Sequence, residues 1–118
     1  MPIINVTELL QSTSLLTAEK GRELYNEIVN KLALYTKLTI DFTDYDFLST
    51  SFLNNSFGQL ALDKGWNYQK MRSILDIIGL DEDDLDEVDL AVFNAMSKRS
   101  LMEKGIDVQE FYAKHLAY

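Results

Sequence analysis

Apolar positions recur along this chain with two different periods, and the periods divide it into elements. "PIINV" is a short β-branched run and predicts a strand starting just after Pro2. "TELLQSTSLLT" fits a loop, a short turn of helix or a second edge strand. From Thr17 the period changes. Thr17 reads as an N-cap, and Leu24, Ile28, Leu32 and Tyr35 follow at spacings of three and four, flanked by Tyr25, Val29 and Ala33. That is one apolar face of an amphipathic helix. Gly21 lowers helix propensity near the first turn, which points to close packing or to the approach of another chain. In "KLTIDF", Leu38, Ile40 and Phe42 alternate with Lys37, Thr39 and Asp41, the pattern of a strand with one apolar face.

The loop "TDYDFLS" leads to a helix starting at Thr50 or Ser51. Leu53, Phe57, Leu60 and Ala61 share its inner face, Phe52 is assigned to the core, and Asn54, Asn55, Gln59 and Asp63 point away. Lys64-Gly65 supplies the stop, because glycine tolerates the left-handed conformation there. "WNYQKMRS" carries no clear period. "ILDIIGL" reads as a strand ended by Gly79. "DEDDLDEVDLAVFNAMSKR" begins a helix capped by Asp81, with Leu85, Val88, Val92 and either Ala95 or Met96 inward. Val108, Phe111, Tyr112 and Leu116 sit at helical spacing and predict a terminal helix over 106–118. Alternating strands and helices argue for a single α/β domain over 1–118, a sandwich around a mixed or parallel sheet of about four strands with about four helices.

Composition narrows the function classes. The chain has 118 residues, 47% hydrophobic, enough apolar material for one core. It has no cysteine, so disulfides and thiolate metal sites are excluded. Its 19 acidic and 11 basic residues leave a net charge of −8. An acidic surface repels phosphate backbones and anionic lipid heads, which argues against nucleic-acid and membrane partners. "MPIINVTELLQSTS" lacks the basic start and apolar core of a signal peptide, and no run reaches the length of a membrane span. A cytoplasmic location is expected.

Candidate chemistry concentrates in "DFLSTSFLNNSFGQL", where a strand hands over to a helix through Ser49, Thr50 and Ser51. Serine and threonine are favoured caps and turn residues without any modification, which is the plain structural reading of these hydroxyls. Spacings of three and four also bring Ser51, Asn54 and Asn55 together as a polar strip. No catalytic partner accompanies them. His115 is the only histidine, and nothing near it resembles a nucleophile elbow. The five glycines are scattered rather than set in a phosphate loop. "DEDDLDEVD" is dense in carboxylates, but counting from Asp81 the sixth residue is Asp86 and the twelfth Val92, which fails the EF-hand pattern. The same acids complement the positive end of a helix. Trp66 and Tyr68 read as core or rim aromatics. The expectation is a non-enzyme with no catalytic residue, metal site or cofactor.

The ordered set Gly21, Leu24 and Ile28, then Asp41-Phe42, then Ser51-Phe52-Leu53-Asn54, then Gly58-Gln59-Leu60, resembles the bacterial STAS-like domains of unknown function. These are related to the sulphate-transporter and anti-sigma-factor-antagonist superfamily. The resemblance covers roughly residues 13–97. It sets Asp41 and Phe42 at the strand end, Phe47 and Leu48 before the turn, and Ser49, Thr50 and Ser51 on the Asp-Ser-Ser segment of the antagonists. Ser49 replaces the usual acid, and Phe52 the usual glycine.

The resemblance implies a regulatory or adaptor domain that binds a protein partner through Ser49, Thr50, Ser51, Asn54, Asn55 and Gln59. It implies a histidine-kinase-like ATPase as the partner class, with phosphorylation at Ser51 or Thr50 as the switch. The alternative is a small-ligand or nucleotide sensor using the same helix N-terminus. Oligomeric state is left open.

Overall fold

The row Leu38, Ile40, Phe42 lies on the buried side of the central strand, and the rest of the architecture is built on it. The computed structural model describes residues 2–105. Its strands are β1 (Ile3–Asn5), β2 (Ser14–Leu15), β3 (Leu38–Asp41), β4 (Phe47–Leu48) and β5 (Leu75–Ile78). Its helices are α1 (Val6–Leu10), α2 (Ala18–Leu32), α3 (Thr50–Leu53), α4 (Gln59–Lys64), α5 (Tyr68–Ile74) and α6 (Glu82–Glu103). A π-helical turn, Asn54–Gly58, joins α3 to α4 in one continuous rod.

The sheet of β1, β3 and β5 is parallel, with β3 in the middle. Ile4, Ile40 and Ile77 form one inward row, and Leu38 pairs with Leu75 in another. The opposite rows are Ile3–Thr39–Asp76 and Asn5–Asp41–Ile78, and Ile3 and Ile78 are 62% and 41% exposed. β2 and β4 form a separate two-stranded parallel ladder, Ser14 against Phe47 and Leu15 against Leu48. The expected single sheet of about four strands is thus five strands in two parallel sheets, within the α/β class anticipated. The second ladder escapes a periodicity reading because each of its strands is two residues long. "TELLQSTSLLT" holds both a helix, α1, and an edge strand, β2.

Caps end the elements where the residue types suggest. Thr17 accepts the amide of Lys20 at 3.2 Å, and Asp81 that of Asp84 at 2.8 Å. Gly65 closes α4 at φ +70°. "WNYQKMRS" contains α5, capped by Asn67, which accepts the amide of Lys70 at 2.9 Å. Only Met71 of that helix is buried, so it has no apolar stripe to read. Tyr35 departs from its expected inward position. Helix α2 ends at Leu32, and the amides of Leu34 and Tyr35 both bond the Lys31 carbonyl. That tightened turn swings the chain toward β3 and leaves Tyr35 exposed. Leu85 is half-buried, and Ala95 and Met96 both pack against the core. His115 and the expected terminal helix lie outside the described residues.

Phe42 carries the core from the sheet to the helical rod. Its ring meets Phe52 edge-on at 6.5 Å and Tyr45 edge-on at 6.3 Å, with Phe57 tilted at 6.1 Å. Edge-to-face contact matches the positive edge of one ring to the negative face of another. Phe52 is fully buried, as its assignment to the core requires.

Candidate functional site

The hydroxyl segment divides into a structural residue and two exposed ones. Ser49 is the N-cap of α3, with extended backbone dihedrals. Its Oγ accepts the Phe52 amide at 3.0 Å and donates to the Leu16 carbonyl at 2.7 Å. The hydroxyl is therefore occupied in both roles, and it ties the helix start to the strand ladder. Thr50 and Ser51 begin the helix and are exposed. Their amides precede the first intrahelical bond and have no partner there. One turn on, Asn55 Nδ2 donates to the Ser51 carbonyl at 2.8 Å, and its Oδ1 meets Arg22 Nη1 at 3.5 Å.

Gly21 makes this approach possible. A Cβ there would lie 2.5 Å from the Phe52 carbonyl oxygen and 2.9 Å from Asn55 Cβ. Helix α2 therefore packs directly on the rod, and the next residue, Arg22, reaches Asn55. Of the two roles the sequence suggests for Gly21, close packing within the chain is the one observed.

Two apolar side chains beside this turn were not singled out by periodicity. Phe47 is 64% exposed and Leu16 48% exposed. Parallel pairing sets Ser14 beside Phe47 and Leu15 beside Leu48, and Ser49 N bonds the Leu15 carbonyl at 3.0 Å. Side chains two apart on a strand share a face, so Phe47 and Leu16 stand on one side of the ladder that feeds α3. Lys20 Nζ donates to the Ser14 carbonyl at 3.2 Å, at the same edge. The resemblance sets Phe47 just before the turn; for Leu16 the sequence offers only the Leu15-Leu16 doublet, of which the structure buries the first residue and exposes the second.

Acids gather at the carboxyl ends of the strands. Asp41 accepts the Thr43 hydroxyl at 2.6 Å and the Thr43 amide at 2.9 Å. The hydroxyl bond first, then the amide, holds its carboxyl below the usual carboxylate range. Thr13 donates to Asp46 at 2.7 Å. Tyr45 donates to Asp84 and accepts the Asp81 amide at 3.3 Å, clasping the β3–β4 loop to the start of α6. Burial, then the bond to Asp84, pushes the Tyr45 hydroxyl up to about 12. The acids of "DEDDLDEVD" thus cap α6 and hold a loop. Among the described residues, no group of three His, Asp or Glu side chains is placed to hold a metal ion.

The six residues of the candidate surface do not form one patch. Ser49, Thr50, Ser51 and Asn55 surround the helix start beside Phe47 and Leu16. Asn54 and Gln59 line a groove between the π-turn and α6 instead. Asn54 and Asn55, adjacent in the chain, point to different sides of the rod, as successive helical residues do. Trp66 packs against the core, and Tyr68 is exposed. No helix among the described residues is long and apolar enough to cross a membrane.

A family model described as a STAS-like domain of unknown function (DUF4325) matches residues 20–85, more than half of the chain. The match runs from Lys20 within α2 through β3, the hydroxyl turn, the helical rod and β5 to the start of α6. No curated protein and no solved structure matches the chain.

Proposed function

From the premise that the chain belongs to the STAS-like domain family of unknown function, and so to regulatory protein-interaction domains in general terms, we propose that it is a non-enzymatic adaptor. It docks a protein partner on the ladder-to-helix edge formed by Leu16, Phe47, Thr50 and Ser51. The observation that carries this reading is the pair of exposed apolar side chains, Phe47 and Leu16, set beside exposed hydroxyls on a well-anchored turn. An aromatic anchor ringed by polar groups is the composition of binding hot spots. The partner class is a histidine-kinase-like ATPase, which is what the resemblance to the antagonist superfamily implies.

Phosphorylation of Ser51, or of Thr50, is the proposed switch. Ser49 is unsuited to it because its hydroxyl is committed as cap and donor. A phosphate on Ser51 adds a charge of about −1.5 to −2 beside unpaired amides at the helix start. Asn55 and Arg22 lie one turn away and offer further donors. The helix tolerates that charge, while the added bulk and repulsion act on the partner.

The test is affinity purification from the cells of origin, with wild-type and Phe47→Glu baits compared by mass spectrometry. A kinase-like ATPase recovered with the wild type and lost with Phe47→Glu supports the reading. Phosphate mapped to Ser51 or Thr50 supports the switch. Identical recovery with both baits removes this edge as the docking surface.

A further inference from the structure

Helix α6 carries apolar side chains on both of its faces. Val88, Ala91 and Val92 are buried against the rod, and Ala95 and Met96 pack beside them. On the opposite face Leu90 is 50% exposed and Phe93 62% exposed. A helix that covers a core on one side ordinarily presents polar groups on the other. Helix α2 does so: its exposed positions are Glu19, Arg22, Glu23, Asn26 and Asn30.

The outward row of α6 has the spacing of a helix–helix seam. Asp86, Leu90, Phe93, Ser97, Ser100 and Lys104 follow one another at alternating steps of four and three, and all are exposed. That alternation keeps one row of side chains facing a partner helix. Leu90 and Phe93 are large knobs, and Ser97 and Ser100 are small enough to leave holes. The Ser97 hydroxyl already donates to the Phe93 carbonyl at 3.1 Å, so covering it strands no donor. An acid closes one end of the row and a base the other. Among the described residues neither Asp86 nor Lys104 takes part in an ion pair.

We propose that this face of α6 is an interface between two copies of the chain, packed antiparallel about a two-fold axis. With the axis midway between Phe93 and Ser97, Phe93 of one copy sits on Ser97 of the other, Leu90 on Ser100, and Asp86 beside Lys104. Large meets small and acid meets base along the whole seam. A parallel pair would instead oppose Asp86 to Asp86 and Lys104 to Lys104, which like-charge repulsion disfavours. The seam from Asp86 to Lys104 is about 27 Å long at a rise of about 1.5 Å per residue. Its two large apolar side chains per copy make a contact smaller than a standard interface, and each copy has a net charge of −8. The dimer is therefore weak, forming as concentration rises, with salt screening the overall repulsion. None of these residues belongs to the docking edge, and the inference does not depend on that reading.

The test is sedimentation equilibrium of the full chain from about 10 μM to about 1 mM in about 0.15 M salt. The average mass is expected to rise toward that of a dimer. Phe93→Ser, at an exposed position, leaves the circular dichroism unchanged and weakens the association by roughly tenfold or more. Lys104→Glu also weakens it, and adding Asp86→Lys to Lys104→Glu restores it. A mass that stays at the monomer's value across the range overturns the proposal and leaves the face to a different protein. Association that Phe93→Ser does not weaken overturns it as well, and a double reversal that fails to recover association overturns the antiparallel pairing.

Discussion

At the scale of single residues, two glycines at different helix contacts of the rod behave in opposite ways. Gly21 sits where any Cβ would press on the Phe52 carbonyl at 2.5 Å. Gly21→Ala forces α2 away from the rod. It is expected to destabilise by about 1–3 kcal/mol, the range for overpacking, despite alanine's better helix propensity. Gly58→Ala meets only ordinary contacts and is expected to stabilise by about 0.5–1 kcal/mol. Urea unfolding of the two variants checks the contrast, and a destabilised Gly58→Ala would show that the rod packs on the Ala91 backbone too tightly for a methyl group. Ser49→Ala removes both the cap on Phe52 and the bond to Leu16. A loss of about 1–2 kcal/mol is expected in the same assay.

At the scale of elements, what matters is how segments far apart in the chain are tied together. Tyr45 clasps the β3–β4 loop to α6, and its hydroxyl pKa lies near 12 against an ordinary 10.0. A raised pKa means that the folded state holds the proton longer than the unfolded state does. The stabilisation is complete below about pH 10 and is lost as pH rises through about 12. Tyr25 adds to the same alkaline loss, because its bond to Asp63 raises its pKa as well. Tyr45→Phe is expected to lower stability at neutral pH and to flatten the fall between pH 10 and 12. Denaturant midpoints measured across that range decide it, and an unchanged slope would mean that the clasp is absent in solution. The π-turn has its own tie: buried Ser56 donates to the Phe52 carbonyl at 2.8 Å. Ser56→Ala is expected to cost about 1 kcal/mol and to speed hydrogen exchange in the rod.

At the scale of the whole molecule, charge governs. The net charge of −8 is opposed among the described residues by the three ion pairs Lys31–Glu27, Arg72–Asp89 and Arg99–Glu103. All three involve at least partly exposed side chains and stabilise little individually. Self-repulsion of the excess acids destabilises the folded state, and salt screens it. The melting temperature is therefore expected to rise as salt increases from low to moderate ionic strength. A melting temperature that falls with salt would show that favourable pairs outweigh the repulsion.

Local sequence alone is enough for the α/β class, for a helical rod starting at Thr50 or Ser51, for the caps at Thr17 and Asp81, and for the stop at Gly65. These depend on interactions within a turn or two: side-chain hydrogen bonds to nearby amides, and the solvation of one face of a helix or strand. It also placed the candidate chemistry in the hydroxyl turn and identified which of its neighbours are core. It takes the folded chain to commit Ser49 to Leu16, 33 residues away in the sequence, and to set Phe47 and Leu16 on one face. The folded chain also sets Tyr35 outside, inserts a π-turn, and moves Asn54 and Gln59 into a groove with α6. Those features depend on which segments meet after the chain has turned, and strands of two residues or a helix with one buried side chain carry no period from which that meeting can be read.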